Sequence, residues 1–224
     1  YSIDGGSSYG SWLCNNANPG CPTGYVFTGL TPGNHSIEIL DSSGQCVSSY
    51  QVTITEPTAI QYSVSAPDYN NYQIACNGGQ TGVANIVVAG GDGPYDITLN
   101  GVTQPNILST YDWTGIGAGP QTFYIKDNND CEVDTTILYS EPPAISASTV
   151  KTDVYCAGNC IGSLTAVVSG GVGVNANDYT YSWEDAAGTV IGTSFDINNL
   201  CPGAYELTVT DDNNCTSTFN GGPN

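Results

Sequence analysis

Cysteine and carboxylate are the reactive side chains this sequence carries in number: nine Cys and 21 Asp plus Glu, against one His and two Lys. Cysteines can form disulfides, act as nucleophiles or bind metals, while carboxylates can ligate Ca²⁺ or do acid–base work. Spacing decides among these uses. No C-x-x-C pair occurs, which argues against zinc ribbons and redox motifs. With His35 as the single histidine, a Ser-His-Asp or Cys-His arrangement is not expected. His35, in "GNHSIEI", reads as a surface residue. Acid pairs of the glycosidase kind sit in no recognisable motif. The chain is therefore read as not an enzyme, and no cofactor is expected apart from a candidate calcium.

That calcium reading rests on "DNND" (127–130) and "DDNN" (211–214). Asp127, Asp130, Asp211 and Asp212 are hard oxygen ligands, though without the D-x-D-x-D-G spacing of a dedicated loop. The same residues suit tight hairpin turns, because Asn and Asp tolerate left-handed backbone. A joint site adding Glu56 or Glu141 is a weaker variant.

The cysteines also carry a period. Cys46, Cys131 and Cys215 are spaced 131 − 46 = 85 and 215 − 131 = 84. Each closes a Gly-led alternating run: "GNHSIEILDSSGQC", "GPQTFYIKDNNDC" and "GAYELTVTDDNNC". "EPTAI" and "EPPAI" also stand 85 apart, and residues 76–91 align without gaps on 156–171. Such a period means an array. Three segments follow: 1–57, the C-terminal part of a truncated repeat with an insertion; 58–142, a complete repeat; and 143–224, a repeat truncated near its end. The chain reads as a piece of a longer protein.

The elements that must position these residues are strands. Apolar residues alternate with period two in "HSIEILD", "TFYIKD" and "YELTVTD", and no stretch holds a 3.6 period. Some seven short strands per repeat predict an all-β fold of tandem immunoglobulin-like (PKD-like) β-sandwich repeats. The Asp/Asn clusters become turns between the last two strands, and the "EP" motifs at 56–60 and 141–145 become stiff joints. Trp183 is expected in the core between the sheets. Trp12, in the insertion "GSWLCNNANPGCPTG", is the ligand-binding candidate, since loops at sandwich ends carry binding.

Cysteine pairing is partly legible. Repeat 3 alone has Cys160 and Cys201, where repeat 2 has Gln80 and Ala118, so one bond explains both. Closing that loop should add about 3–4 kcal/mol in the chain-entropy model. Cys14 and Cys21 pair by count. Cys76, Cys131, Cys156 and Cys215 are taken as oxidised in one of two ways. Pairing within repeats gives 76–131 and 156–215. Pairing across the joint gives 76–215, and sandwich topology objects to the former, because the two turns lie at opposite ends. Both remain open, and Cys46 has no assigned partner.

A formal net charge of −19 excludes nucleic acid as a partner, since phosphate binding needs cations. No apolar run is long enough to insert into a membrane. Oxidised cysteines place the chain outside the cytoplasm.

Repeat 3 assembles a fuller pattern from Cys156, Gly170, Gly171, Tyr179, Tyr181, Trp183, Leu200, Gly203, Tyr205, Asp211, Asn213 and Cys215. Repeat 2 matches at Cys76, Gly90, Gly91, Pro94, Tyr95, Gly119, Asp127, Asn129 and Cys131, with Leu99 in place of Trp183 and Phe123 near the Tyr205 position. This pattern resembles the SprB-type repeat of large gliding adhesins of Bacteroidota. The resemblance implies a stalk or adhesive segment of a long cell-surface filament, exported by type IX secretion and displayed outside the outer membrane. Its partners would be other domains of the same chain, surface glycans or secretion-machinery components. The alternative is a carbohydrate-binding module array of a secreted glycan-degrading protein. "DTT" at 134–136 resembles a Bacteroidota O-glycosylation acceptor, which makes Thr135 the candidate modified residue.

Overall fold

The computed structural model describes residues 2–3, 27–40, 45–155, 158–173 and 175–221. Trp12, Cys14, Cys21 and Cys156 lie outside these, and so do the expectations of a ligand at Trp12, a 14–21 bond and a partner for Cys156. The chain divides into two compact units, 1–58 and 59–224. In the first, β1 (Ser2–Ile3), β2 (Gly33–Leu40) and β3 (Val47–Ile54) form an antiparallel sheet in that order.

The second unit holds two like sandwiches. The first comprises β4 (Gln61–Ser65), β5 (Gly82–Ala89), β6 (Tyr95–Leu99), β7 (Val102–Ile107), β8 (Thr110–Ile116), β9 (Gly119–Lys126) and β10 (Glu132–Tyr139). Its sheets run β4-β5-β8 and β10-β9-β6-β7. The second comprises β11 (Ser146–Thr152), β12 (Gly162–Ser169), β13 (Thr180–Asp185), β14 (Val190–Gly192), β15 (Asp196–Leu200), β16 (Tyr205–Thr210) and β17 (Thr216–Gly221). Its sheets, β11-β12-β15 and β14-β13-β16-β17, repeat the same order. Three strands facing four in this connectivity make an immunoglobulin-like sandwich. Among the described residues the sole helical element is a single 3₁₀ turn, Ala176–Asp178. Pro57, Pro142 and Pro143 lie outside every strand, as joints require, because proline cannot donate to a ladder.

Period-two alternation fills each core. In β5, Ala84, Ile86 and Val88 point inward, and in β9 Phe123 and Ile125 do. Leu164, Trp183, Leu207 and Val209 do the same in the second sandwich, with Trp183 wholly buried. The register explains why Leu99 can replace Trp183. Leu99 pairs with Phe123 and Trp183 with Leu207, so the larger side chain merely changes strand and the layer keeps its bulk, as close packing demands. Trp183 Nε1 donates to the Ser194 carbonyl at 2.9 Å, which satisfies the indole.

The double-glycine and tyrosine motif is a hydrogen-bonded corner. Tyr95 donates its hydroxyl to the Gly90 carbonyl, and the Tyr179 hydroxyl reaches the Gly170 carbonyl at 2.7 Å and that of Gly173 at 3.0 Å. Burial, helped by the carboxylates of Asp178, Asp211 and Asp212, pushes the Tyr179 pKa up, so its hydroxyl stays a donor.

A second corner recurs in all three repeats with three different side chains. His35 is buried, not on the surface as its sequence context suggests, and its ring Nε2 lies 2.7 Å from the Thr31 carbonyl. Gln121 Nε2 donates to Gly117 O at 3.2 Å, and the Tyr205 hydroxyl to Cys201 O at 2.9 Å. Each follows its Gly by two residues and reaches four residues back. Gln121, rather than Phe123, therefore holds the Tyr205 position. This is the tyrosine corner of immunoglobulin-like domains, open here to any side chain that can donate at that distance.

Candidate functional site at the inter-repeat joint

The recurrent motifs converge where the two sandwiches meet, around "EPPAI". On the first sandwich, the loop before β5 supplies one side. Asn70 and Asn71 both have positive φ (54° and 71°), as a two-residue I′-type turn requires, and Tyr69 and Tyr72 close it with backbone bonds of 2.7 and 3.2 Å. Glu141 then grips the same loop, its carboxylate accepting from Gly78 N at 2.7 Å and Asn77 Nδ2 at 3.1 Å. Asn77 Nδ2 also reaches the Pro142 carbonyl at 3.0 Å. The Glu of the "EP" motif is thus a clamp on its own repeat.

The second sandwich supplies the other side through its β16–β17 turn and its Gly-Gly pair. Gly171 N donates to Pro143 O at 2.7 Å. A Cβ on Gly170 would collide with the Ala144 carbonyl oxygen, and one on Gly171 would fall 2.7 Å from Ile145 Cγ1. Both glycines have left-handed φ (80° and 65°), so backbone conformation and close approach each require glycine. Across the joint, Asn70 Nδ2 donates to Asn213 Oδ1 at 2.8 Å, and Asn213 Nδ2 donates to Ala75 O at 3.0 Å and Tyr69 O at 3.4 Å. Beside this clasp Cys76 and Cys215 form a disulfide with Cα atoms 5.6 Å apart, spanning 139 residues. The cross-joint pairing is the one the structure contains; Cys76 and Cys131 are not joined. The two sandwiches belong to one compact unit, 59–224.

Cys160 and Cys201 form the second disulfide, with Cα atoms 3.9 Å apart. It ties the loop before β12 to the corner before β16, within one sandwich.

Of the four aspartates that are calcium candidates, two are buried and bind backbone. Asp127 and Asp211 are 4% and 5% exposed. Asp211 Oδ1 accepts from the backbone N–H of Asn213 and Cys215, each at 2.9 Å, and Oδ2 from Val172 at 2.8 Å. Asp127 repeats the set with Asn129 and Cys131 at 2.9 Å and Asp92 at 3.0 Å. Each carboxylate knits its last turn to its Gly-Gly loop. The backbone bond from Asp92, before those from Cys131 and Asn129, holds the Asp127 carboxyl below its ordinary value of 3.8. Asp130 instead pairs with Lys126 at 2.9 Å, and Asp212 is exposed. Among the described residues no three His, Cys, Asp or Glu side chains cluster as a metal would need.

Thr135 is half-buried on the core-facing side of β10, opposite Phe123, whereas its neighbour Thr136 faces out and bonds Thr122 at 2.8 Å. A glycan acceptor must reach solvent, and of these two threonines Thr136 is the more exposed.

A polar recess of about 430 Å³ opens at the joint, lined among others by Asn77, Pro143, Asp211, Asn214, Thr216 and the Cys76–Cys215 bridge.

Two immunoglobulin-like sandwiches in tandem, clamped and covalently bridged at a short proline joint, define a modular repeat protein. The SprB repeat family matches residues 72–104 and 148–188, one segment in each sandwich, which supports a SprB-type repeat protein. The first match begins in the cysteine-bearing loop and ends within β7; the second begins within β11 and ends just after β13. No curated protein matches the chain. Among solved structures it is similar to fibronectin(III)-like modules of Clostridium thermocellum CbhA (14% identity, 71% of this chain and 91% of that one, TM-score 0.31). It is also similar to domains 3 and 4 of rat CD4 (7% identity, 85% and 95%, TM-score 0.23). At these scores the fold rests on the strand order above, not on the likeness. Among the described residues no helix is long and apolar enough to cross a membrane.

Proposed function

We propose that this chain is a load-bearing stalk segment of a cell-surface adhesin, non-catalytic, displayed outside the cell and exported by type IX secretion. The SprB repeats give the adhesin-like character, and both they and the disulfides are compatible with an extracellular surface. The observation that carries the stalk reading is the joint. A disulfide spanning 139 residues and reciprocal asparagine bonds link one sandwich to the next, which is what transmitting tension between modules needs. Adhesion itself would then reside in loops or in other parts of the parent. The carbohydrate-binding alternative calls for a solvent-facing aromatic strip; the two described tryptophans, Trp113 and Trp183, pack against cores, whereas Tyr50, Tyr62, Tyr124 and Tyr155 are exposed.

Intact cells of the source organism, probed with an antibody to residues 59–224, should be labelled, and deletion of the repeats should reduce attachment. Labelling only after permeabilisation would sink the reading. Glycan-array binding that is lost in Trp12→Ala would move it to the carbohydrate-binding class.

A further inference from the structure

The turn at 127–131 in the first sandwich is built like the clasping turn at 211–215, but among the described residues of 59–224 no cysteine-bearing loop bonds to it. Asp127 N donates to Cys131 O and Asp211 N to Cys215 O, both at 3.0 Å. Asp130 N donates to Asp127 O at 3.1 Å and Asn214 N to Asp211 O at 2.9 Å. Asp130 and Asn214 share φ near +60° (63° and 62°), and each buried aspartate takes three backbone N–H bonds as described above. Asn129 stands where Asn213 stands, and Cys131 where Cys215 stands. Apart from Asn128 for Asp212, and Asp130, paired with Lys126, for Asn214, the difference is occupancy. Asn213 and Cys215 are half-buried under the loop at 69–79, while Asn129 is exposed and Cys131 is an exposed free thiol.

We propose that residues 127–131 are an open half-clasp whose partner is the cysteine-bearing loop of another repeat of this type, a loop of the kind formed by residues 69–79. That partner offers what the turn lacks: two backbone carbonyls and an Asn side chain for Asn129, and a thiol for Cys131. The bond forms when the two thiols lose two protons and two electrons to a small-molecule disulfide, glutathione disulfide for instance, which leaves as two thiols. The inference concerns the assembly of repeats and stands whether or not the parent is a stalk.

The first test uses the chain as it is. Maleimide applied to native, unreduced protein should label Cys131 and leave Cys76, Cys215, Cys160 and Cys201 untouched; Cys131 protected by a bond within this chain would overturn the proposal. The second lengthens the chain by a copy of residues 56–140 placed before Glu56, which keeps the "EP" period. After equilibration in a glutathione redox buffer, labelling at Cys131 of the second of these repeats should be lost, and a peptide map should show it bonded to Cys76 of the inserted copy. Asn129→Ala should slow that loss. If both thiols stay open to alkylation in molecules whose Cys76–Cys215 bridge has formed, the proposal fails; that bridge reports that the fold and the oxidant are in order.

Discussion

At the scale of the residue, the buried aspartates matter most. Asp127 has its folded pKa lowered, chiefly by the Asp92 N–H. A group depressed in this way contributes stability above its unfolded pKa and loses it as pH falls through the folded one. Asp127→Asn should therefore be less stable than the parent at pH 7, where the carboxylate is fully charged. The gap should close on acidification below the ordinary value of 3.8. Urea titrations across that range check it, and a gap independent of pH would contradict the assignment. The corner residues make a milder prediction. Tyr205→Phe keeps the ring and removes only the bond to Cys201 O, so it should cost about 0.5–1.5 kcal/mol, read as a shift in the denaturation midpoint without loss of fold.

At the scale of the element, much was readable in advance. Alternation located the strands, and the "EP" spacing located the joints, because both signals are local and repeat. The aspartate turns were legible as turns. Their carboxylate bonds to the Gly-Gly loop were not, since they join residues 35 and 39 positions apart. The His35, Gln121 and Tyr205 corner was hidden for another reason: the position asks for a donor at a fixed reach, not for a residue type. Thr135 and Thr136 show how strand register decides exposure, as neighbouring strand positions face opposite sides. The joint's glycines make the strongest prediction at this scale. Gly170→Ala places a methyl against the Ala144 carbonyl at a left-handed φ of 80°, and backbone strain of this type costs about 1–3 kcal/mol before the clash is counted. Calorimetry should show the sandwiches of 59–224 unfolding together in the parent and in separate steps in Gly170→Ala combined with Cys76→Ser. A single step in the double variant would show that the clasp is not what couples them.

At the scale of the whole molecule, the choice between pairing within repeats and pairing across the joint lay beyond the sequence, because a cysteine's spacing does not say which neighbouring sandwich end it faces. The lysine content offers a direct test of that topology. Lys126 and Lys151 are the only cationic side chains besides His35, and both lie in strands, β9 and β11. Strand backbone is held in ladders and cannot enter a protease cleft without local opening, so a lysine-specific protease should leave the native chain intact. In denaturant without reductant it should cut twice, giving 1–126, 127–151 and 152–224. Cys76 lies in the first piece and Cys215 in the last, so these two should migrate as one species, while the middle piece, with Cys131 as its single cysteine, is released. Reductant, or Cys76→Ser without reductant, should separate the outer pieces. Within-repeat pairing predicts a different partition: Cys76–Cys131 would hold the middle piece to the first, and Cys156–Cys215 would lie wholly inside 152–224 and leave it free. The middle piece therefore reports the topology by the company it keeps.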